Sequence, residues 1–208
     1  MQMKQSIQKK HIVAALLTIG LLLQFGCGAT AANTPTREDD IVAVTLDFQK
    51  QSGYASNQFA VWIEDANGAL VKTLFVTQFT VNGGYEKRPD AIPVWVERSG
   101  IAQGENTDTT SGATPKSGSL RYVWDLTDNS GNRVPEGTYT YYVEGTLRWK
   151  NHVLFSGEII LNGEAASSEA VAQYLYEASQ EQTALTDAAP ERDMIQNVTA
   201  TYIPPSQS

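Results

Sequence analysis

Residues 108–117 read DTTSGATPKS. Thr109, Thr110, Ser111 and Thr114 offer hydroxyls among small neighbours, with Gly112 and Ala113 directly before Thr114. A hydroxyl is a weak nucleophile until another group activates it. Two readings of the stretch are open: an idle surface loop, or an attachment site in which the Thr114 hydroxyl accepts a bulky group.

Other chemistry is thinly represented. His11 lies near the start, which leaves His152 to carry any Ser-His-Asp system. It falls on an expected hairpin turn and reads as an exposed turn residue. Neither a helical pair of histidines nor a histidine cluster is present to hold a metal. Asp125, Asp128, Asn129 and Asn132 resemble calcium ligands, but an EF-hand loop needs Gly five residues after its first Asp. Ser130 and Arg133 occupy those positions, so the stretch reads as a turn built on Asx side chains and Gly131. The carboxylate pairs Asp39–Asp40 and Glu64–Asp65 fall in a linker and at a hairpin, and neither reads as an acid–base dyad. Phosphate-binding and dinucleotide-binding glycine patterns are missing. The catalytic residues expected are therefore none.

The first segment sets the compartment. Lys4, Lys9 and Lys10 precede an apolar run from Ile12 to Phe25, and Ala29-Thr30-Ala31 follows as a small-residue cleavage signal. Residues 1–31 read as a signal peptide and 32–40 as a linker. Cys27, the single cysteine, offers a second fate: lipidation there would anchor the protein to a membrane. Of the chain's 15 basic residues the leader takes three. The remaining 12 face 23 acidic ones, a net charge of −11. That disfavours nucleic acid and anionic membrane surfaces as partners.

The elements that must position the 108–117 stretch alternate with a period of two, the signature of half-buried strands. Val42, Val44, Leu46 and Phe48 share one face. Phe59, Val61 and Ile63 share another, with Trp62 pointing the opposite way. Asn67-Gly68 marks a hairpin. Strands follow with Tyr122, Trp124 and Leu126, with Tyr139, Tyr141 and Val143, and with Val153, Phe155, Ile159 and Leu161 facing inward. Residues 80–119 read as a long irregular segment, pinned by Tyr85 and Trp95, with a short strand or a turn of helix in AIPVWVERSG. Val171, Tyr174, Leu175 and Ala178 fall at helical spacing behind Ser167 or Ser168, which predicts one amphipathic helix on an insertion at about 164–192. A last strand, MIQNVTATYIPP, is expected to pair with the first. The fold class expected over 41–208 is an all-β, immunoglobulin-like antiparallel sandwich with that one inserted helix.

With the strands placed, FAVWIEDANGALVKTLFV, then SGAT, then YVWDLTDNSGNRVPEGTYTYYVEG resemble a bacterial family of predicted periplasmic proteins, domain of unknown function 2271. The resemblance runs from about 41 to 162 and resumes at the last strand. The last of these blocks is also similar to the immunoglobulin-like domain of flagellar hook-cap proteins. Relatives usually have Gly after Trp-Asp, where this chain has Leu126.

The resemblance implies an accessory of extracytoplasmic electron transfer, with a flavin transferase and a membrane electron-transfer protein as partners. It also implies a cofactor, covalent FMN. The acceptor motif of flavinylated proteins, an acidic residue followed by [S/T]-G-A-[S/T], matches Asp108, Ser111, Gly112, Ala113 and Thr114. In such proteins the Thr hydroxyl carries the FMN. Gly112 and Ala113 would clear its approach, and Pro115 would bias Thr114 toward extended backbone. The alternative is an immunoglobulin-like binding or assembly module with no cofactor.

Overall fold

A computed structural model describes residues 40–104 and 110–205. Ten strands form two sheets that pack face to face, an all-β sandwich. The first sheet has the order β5 (Gly118–Trp124), β1 (Ile41–Phe48), β10 (Ile195–Ile203) and β8 (Ala166–Glu169), antiparallel throughout. The second has the order β4 (Ser111–Gly112), β3 (Leu70–Thr77), β2 (Gln58–Glu64), β6 (Gly137–Arg148), β7 (Asn151–Leu161) and β9 (Val171–Leu175). Only its β3–β4 pair is parallel. The first and last strands pair as expected, with Ile41 opposite Ile203.

The alternating residues carry the core. Val42, Val44, Leu46 and Phe48 meet Phe59, Val61, Ile63, Tyr141, Val143, Val153, Phe155 and Ile159 between the sheets. Trp124 packs edge-on against Tyr139, with ring centroids 5.1 Å apart. The Tyr139 hydroxyl donates back to the Pro135 carbonyl at 2.8 Å, which fixes the entry into β6.

Leu126 takes a left-handed backbone, φ 56°. This conformation strains a residue with a Cβ by roughly 1–2 kcal/mol. Its side chain is 1% exposed in the inter-sheet core. Burial of a Leu contributes about 1.5–3 kcal/mol and offsets the strain.

β2 is buried on both faces. Ala60 and Trp62 point away from the inter-sheet core and pack with Val76, Ile92 and Trp95. The cover on this outer face comes from the irregular segment after β3, which holds α1 (Tyr85–Lys87) and α2 (Pro93–Ser99). The AIPVWVERSG stretch is therefore helical. Trp95 pins it as expected, its Nε1 donating to Thr73 Oγ1 at 3.1 Å, whereas Tyr85 is only half-buried.

The helix expected on an insertion is instead two strands. β8 completes the first sheet beside β10, and β9 completes the second beside β7, with Ala170 alone between them. Exposure alternates strictly from Ala166 to Tyr176. Ala172 and Tyr174 pack toward the core, while Val171 and Leu175 face outward. The same residues satisfy a period of two and an i, i+3, i+4 spacing. The free edges of β7 and β10 decide between them, because a strand pairs its backbone there and a helix would leave both edges open.

Candidate functional site

The segment after residue 109 joins the edge of one sheet to the edge of the other. Val76 N donates to the Thr110 carbonyl at 3.1 Å, and Ser111–Gly112 then run parallel to Val76–Thr77 as β4. Residues 113–117 cross over, and Gly118 starts β5 opposite Phe48. The crossing is tied once more where Lys50 N donates to Ser117 Oγ at 2.9 Å.

Beneath β4 lies a cluster of rings. Phe75 is 4.9 Å from Phe59 and 5.0 Å from Tyr122, and Phe48 is 5.2 Å from Phe59. Gly112 lies directly on this cluster, and a Cβ there would come within 2.9 Å of the Phe75 ring. The position needs Gly for close approach. Burial raises the Tyr122 phenol far above its ordinary pKa, so it stays neutral.

Of the expected acceptor residues, Ser111 and Gly112 form β4, Ala113 and Thr114 begin the crossing, and Asp108 lies outside the described residues. Ser111 and Ala113 are exposed and Thr114 is half-buried. The Thr114 hydroxyl makes no hydrogen bond among the described residues. A cleft of about 410 Å³ opens at the opposite end of the sandwich, between the Asp65–Leu70 hairpin and Val134–Tyr139.

The calcium-like stretch is an Asx-stabilised turn. Asp128 Oδ1 accepts from Ser130 N and Asn132 N, both at 2.8 Å, and Asp125 Oδ1 accepts from Thr127 N at 3.1 Å. The backbone donors hold the Asp128 carboxyl below its ordinary pKa. Asp40, read as linker, is bound to Arg133 and also accepts from the Tyr202 hydroxyl at 3.1 Å. Glu64, read as part of a hairpin pair, is buried at 2% exposure and accepts from Trp62 Nε1 at 2.9 Å. His152 is the second residue of β7 rather than an exposed turn residue. It is half-buried, and desolvation lowers its pKa.

Sequence reasoning missed Glu144. This β6 residue is fully buried under α2, where its carboxylate accepts from Val94 N at 3.2 Å and Trp95 N at 2.8 Å. Desolvation pushes its pKa up to about 7, against the opposing pull of those two donors. The available signal was a single acid at an alternating position inside an apolar strand, between Tyr142 and Thr146.

Two packed sheets, with a crossing of hydroxyl and small residues at one edge, define an all-β sandwich protein. The chain belongs to the family of predicted periplasmic proteins, domain of unknown function 2271, whose model matches residues 40–177. The matched range includes β8 and β9. No curated protein and no solved structure matches the chain.

Proposed function

We propose that this periplasmic sandwich is a non-catalytic carrier of flavin, an accessory of extracytoplasmic electron transfer that holds FMN as a phosphoester on Thr114. The observation that carries the reading is a Thr114 hydroxyl without a hydrogen-bond partner among the described residues, on a crossing whose two ends are fixed to both sheets. The residues fit the group. Gly112 and Ala113 add no bulk beside the acceptor, and Phe75 supports the backbone from below.

Attachment would proceed with FAD as co-reactant and a flavin transferase as catalyst. Thr114 Oγ forms a bond to the phosphorus of the FMN half. The bond from that phosphorus to the bridging oxygen breaks, AMP leaves, and the hydroxyl proton passes to the transferase. Once bound, the flavin supplies the redox chemistry, and the chain supplies anchorage and surroundings. A membrane electron-transfer protein is the partner that would exchange electrons with it. Export would use the leader of residues 1–31, with lipidation at Cys27 as the alternative anchor.

Co-expression with a flavin transferase, followed by a denaturing gel, tests the reading. The expected result is a fluorescent band that survives denaturation and disappears in Thr114→Ala. A wild-type band without fluorescence overturns it.

A second reading, a binding or assembly module with no cofactor, draws on a different feature. Among the described residues β9 leaves one edge unpaired in the six-stranded sheet and exposes Val171 at 75% and Leu175 at 41%. Such an edge is a template for strand addition.

A further inference from the structure

The end of the sandwich that carries residues 113–117 also carries the β1–β2 loop (49–57), the β6–β7 hairpin turn (149–150) and the start of the outer cover (78–88). The registers require it. Phe48 pairs with Gly118, Val76 with Ser111 and Gln58 with Thr146, all at the same ends of their strands. Lys50 N bonded to Ser117 Oγ at 2.9 Å joins the loop to the crossing, and Ser117 is three residues from Thr114, roughly 11 Å of chain at most.

This end presents an unusual set of side chains. Tyr54 is 83% exposed, with its ring 6.1 Å from that of Trp149. Phe79 is 40% exposed, with the Arg88 guanidinium 5.9 Å from its ring centroid. The two pairs meet at one atom, because the Ala55 carbonyl accepts from Trp149 N at 2.9 Å and from Arg88 Nη2 at 2.8 Å.

The backbone there is held in rarely populated conformations. Ala55, Asn57 and Trp149 all have left-handed φ, at 61°, 68° and 52°. For a residue as bulky as Trp this is a true outlier, and strain of this kind clusters at ligand clamps. The buried Asn57 side chain enforces it. Its Oδ1 accepts from Gln51 N at 2.6 Å, and its Nδ2 donates to the Gln51 carbonyl at 2.9 Å. This strained loop holds a Tyr ring in solvent, where it adds nothing to the core.

We propose that Tyr54, Trp149 and Arg88 form the seat for the ring of a flavin tethered at Thr114. The two aromatic rings supply faces on which a planar ring system stacks. The guanidinium, fixed by Ala55, supplies donors to a carbonyl-bearing ring edge. The inference rests on the reading of Thr114 as the acceptor.

The test uses the full mature chain, co-expressed with a flavin transferase, with the mass of the Thr114 peptide recorded for every sample. Flavin emission is compared before and after proteolysis, in wild type and in Tyr54→Ala, a change at an exposed side chain that leaves folding intact. A second readout is iodide quenching of tryptophan emission. Trp62, Trp95 and Trp124 are fully buried, so Trp149 is the tryptophan that a collisional quencher reaches. The expected result is flavin emission quenched several-fold in the folded wild type, recovered in Tyr54→Ala, and Trp149 shielded from iodide by loading. Full loading with equal emission in both proteins and unchanged iodide access overturns the seat while leaving Thr114 as acceptor. Absence of the FMN mass overturns both.

Discussion

At each lateral edge of the sandwich one continuous stretch passes from sheet to sheet, and the two crossings are built in opposite ways. Between β8 and β9 the crossing takes Ala170 alone, flanked by antiparallel strands of four and five residues. It packs the half-buried Tyr174 edge-on against Phe155, and Arg192 lies 4.1 Å over the Tyr174 ring. Between β4 and β5 the crossing takes residues 113–117, and β4 is only two residues long. The first edge is closed by side chains that interlock. The second is fixed at its ends and leaves small and hydroxyl residues between them. An enzyme that modifies a side chain needs the second kind, because loss of a few exposed contacts there does not open the core.

Stability measurements on the two edges must be made where another group does not intrude. Glu144 is that group. Its folded pKa, about 7, stands above the ordinary value of 4.5. The protonated form therefore fits the fold better. The contribution is fully present below pH 4.5 and is lost as pH rises through about 7. At 1.36 kcal/mol per pKa unit, on the order of 3 kcal/mol of stability disappears across that window. Urea midpoints followed from pH 4 to pH 8 should fall accordingly, and Glu144→Gln should remove this slope. An unchanged slope in the variant would break the assignment.

At the interlocked edge, Tyr174→Ala should cost about 2–3 kcal/mol, measured by urea unfolding at fixed pH. A cost within 0.5 kcal/mol, the range typical of surface changes, would show that the two edges do not differ. Leu126, just past β5, sharpens the account of the open edge from its far end. Leu126→Ala keeps the left-handed strain and loses the burial, at about 2–4 kcal/mol. Leu126→Gly also loses the burial but relieves the strain, so it should be milder by roughly 1 kcal/mol. The reverse order would contradict the strain reading of φ 56°. Gly112→Ala should cost about 1–2 kcal/mol, because its Cβ meets Phe75. Its thermal midpoint should drop, while Ala113→Ser, at an exposed position, should leave it unchanged.

The same contrast explains what could be read from the sequence. β2 was legible on both faces, since Phe59, Val61 and Ile63 alternate with Trp62 and each set is apolar. The Asn67-Gly68 hairpin and the Asp128 turn were legible because their hydrogen bonds are local. β8 and β9 were not, because Val171, Tyr174 and Leu175 satisfy both periods and the deciding partners are β7 and β10, distant in the chain or yet to be formed. Glu144 was passed over for a similar reason: its donors lie 49 and 50 residues away, on a helix whose position no local pattern reveals. The SGAT residues were legible as a motif, but the Phe75 ring that makes Gly112 necessary was not.

The central claim is that the open edge exists to present one hydroxyl. The most direct measurement is the intact mass of the mature protein after co-expression with a flavin transferase, for wild type, Thr110→Ala and Thr114→Ala. The account predicts one FMN addition on wild type and on Thr110→Ala, and none on Thr114→Ala. An unmodified wild type, or an FMN addition that persists in Thr114→Ala, would contradict it.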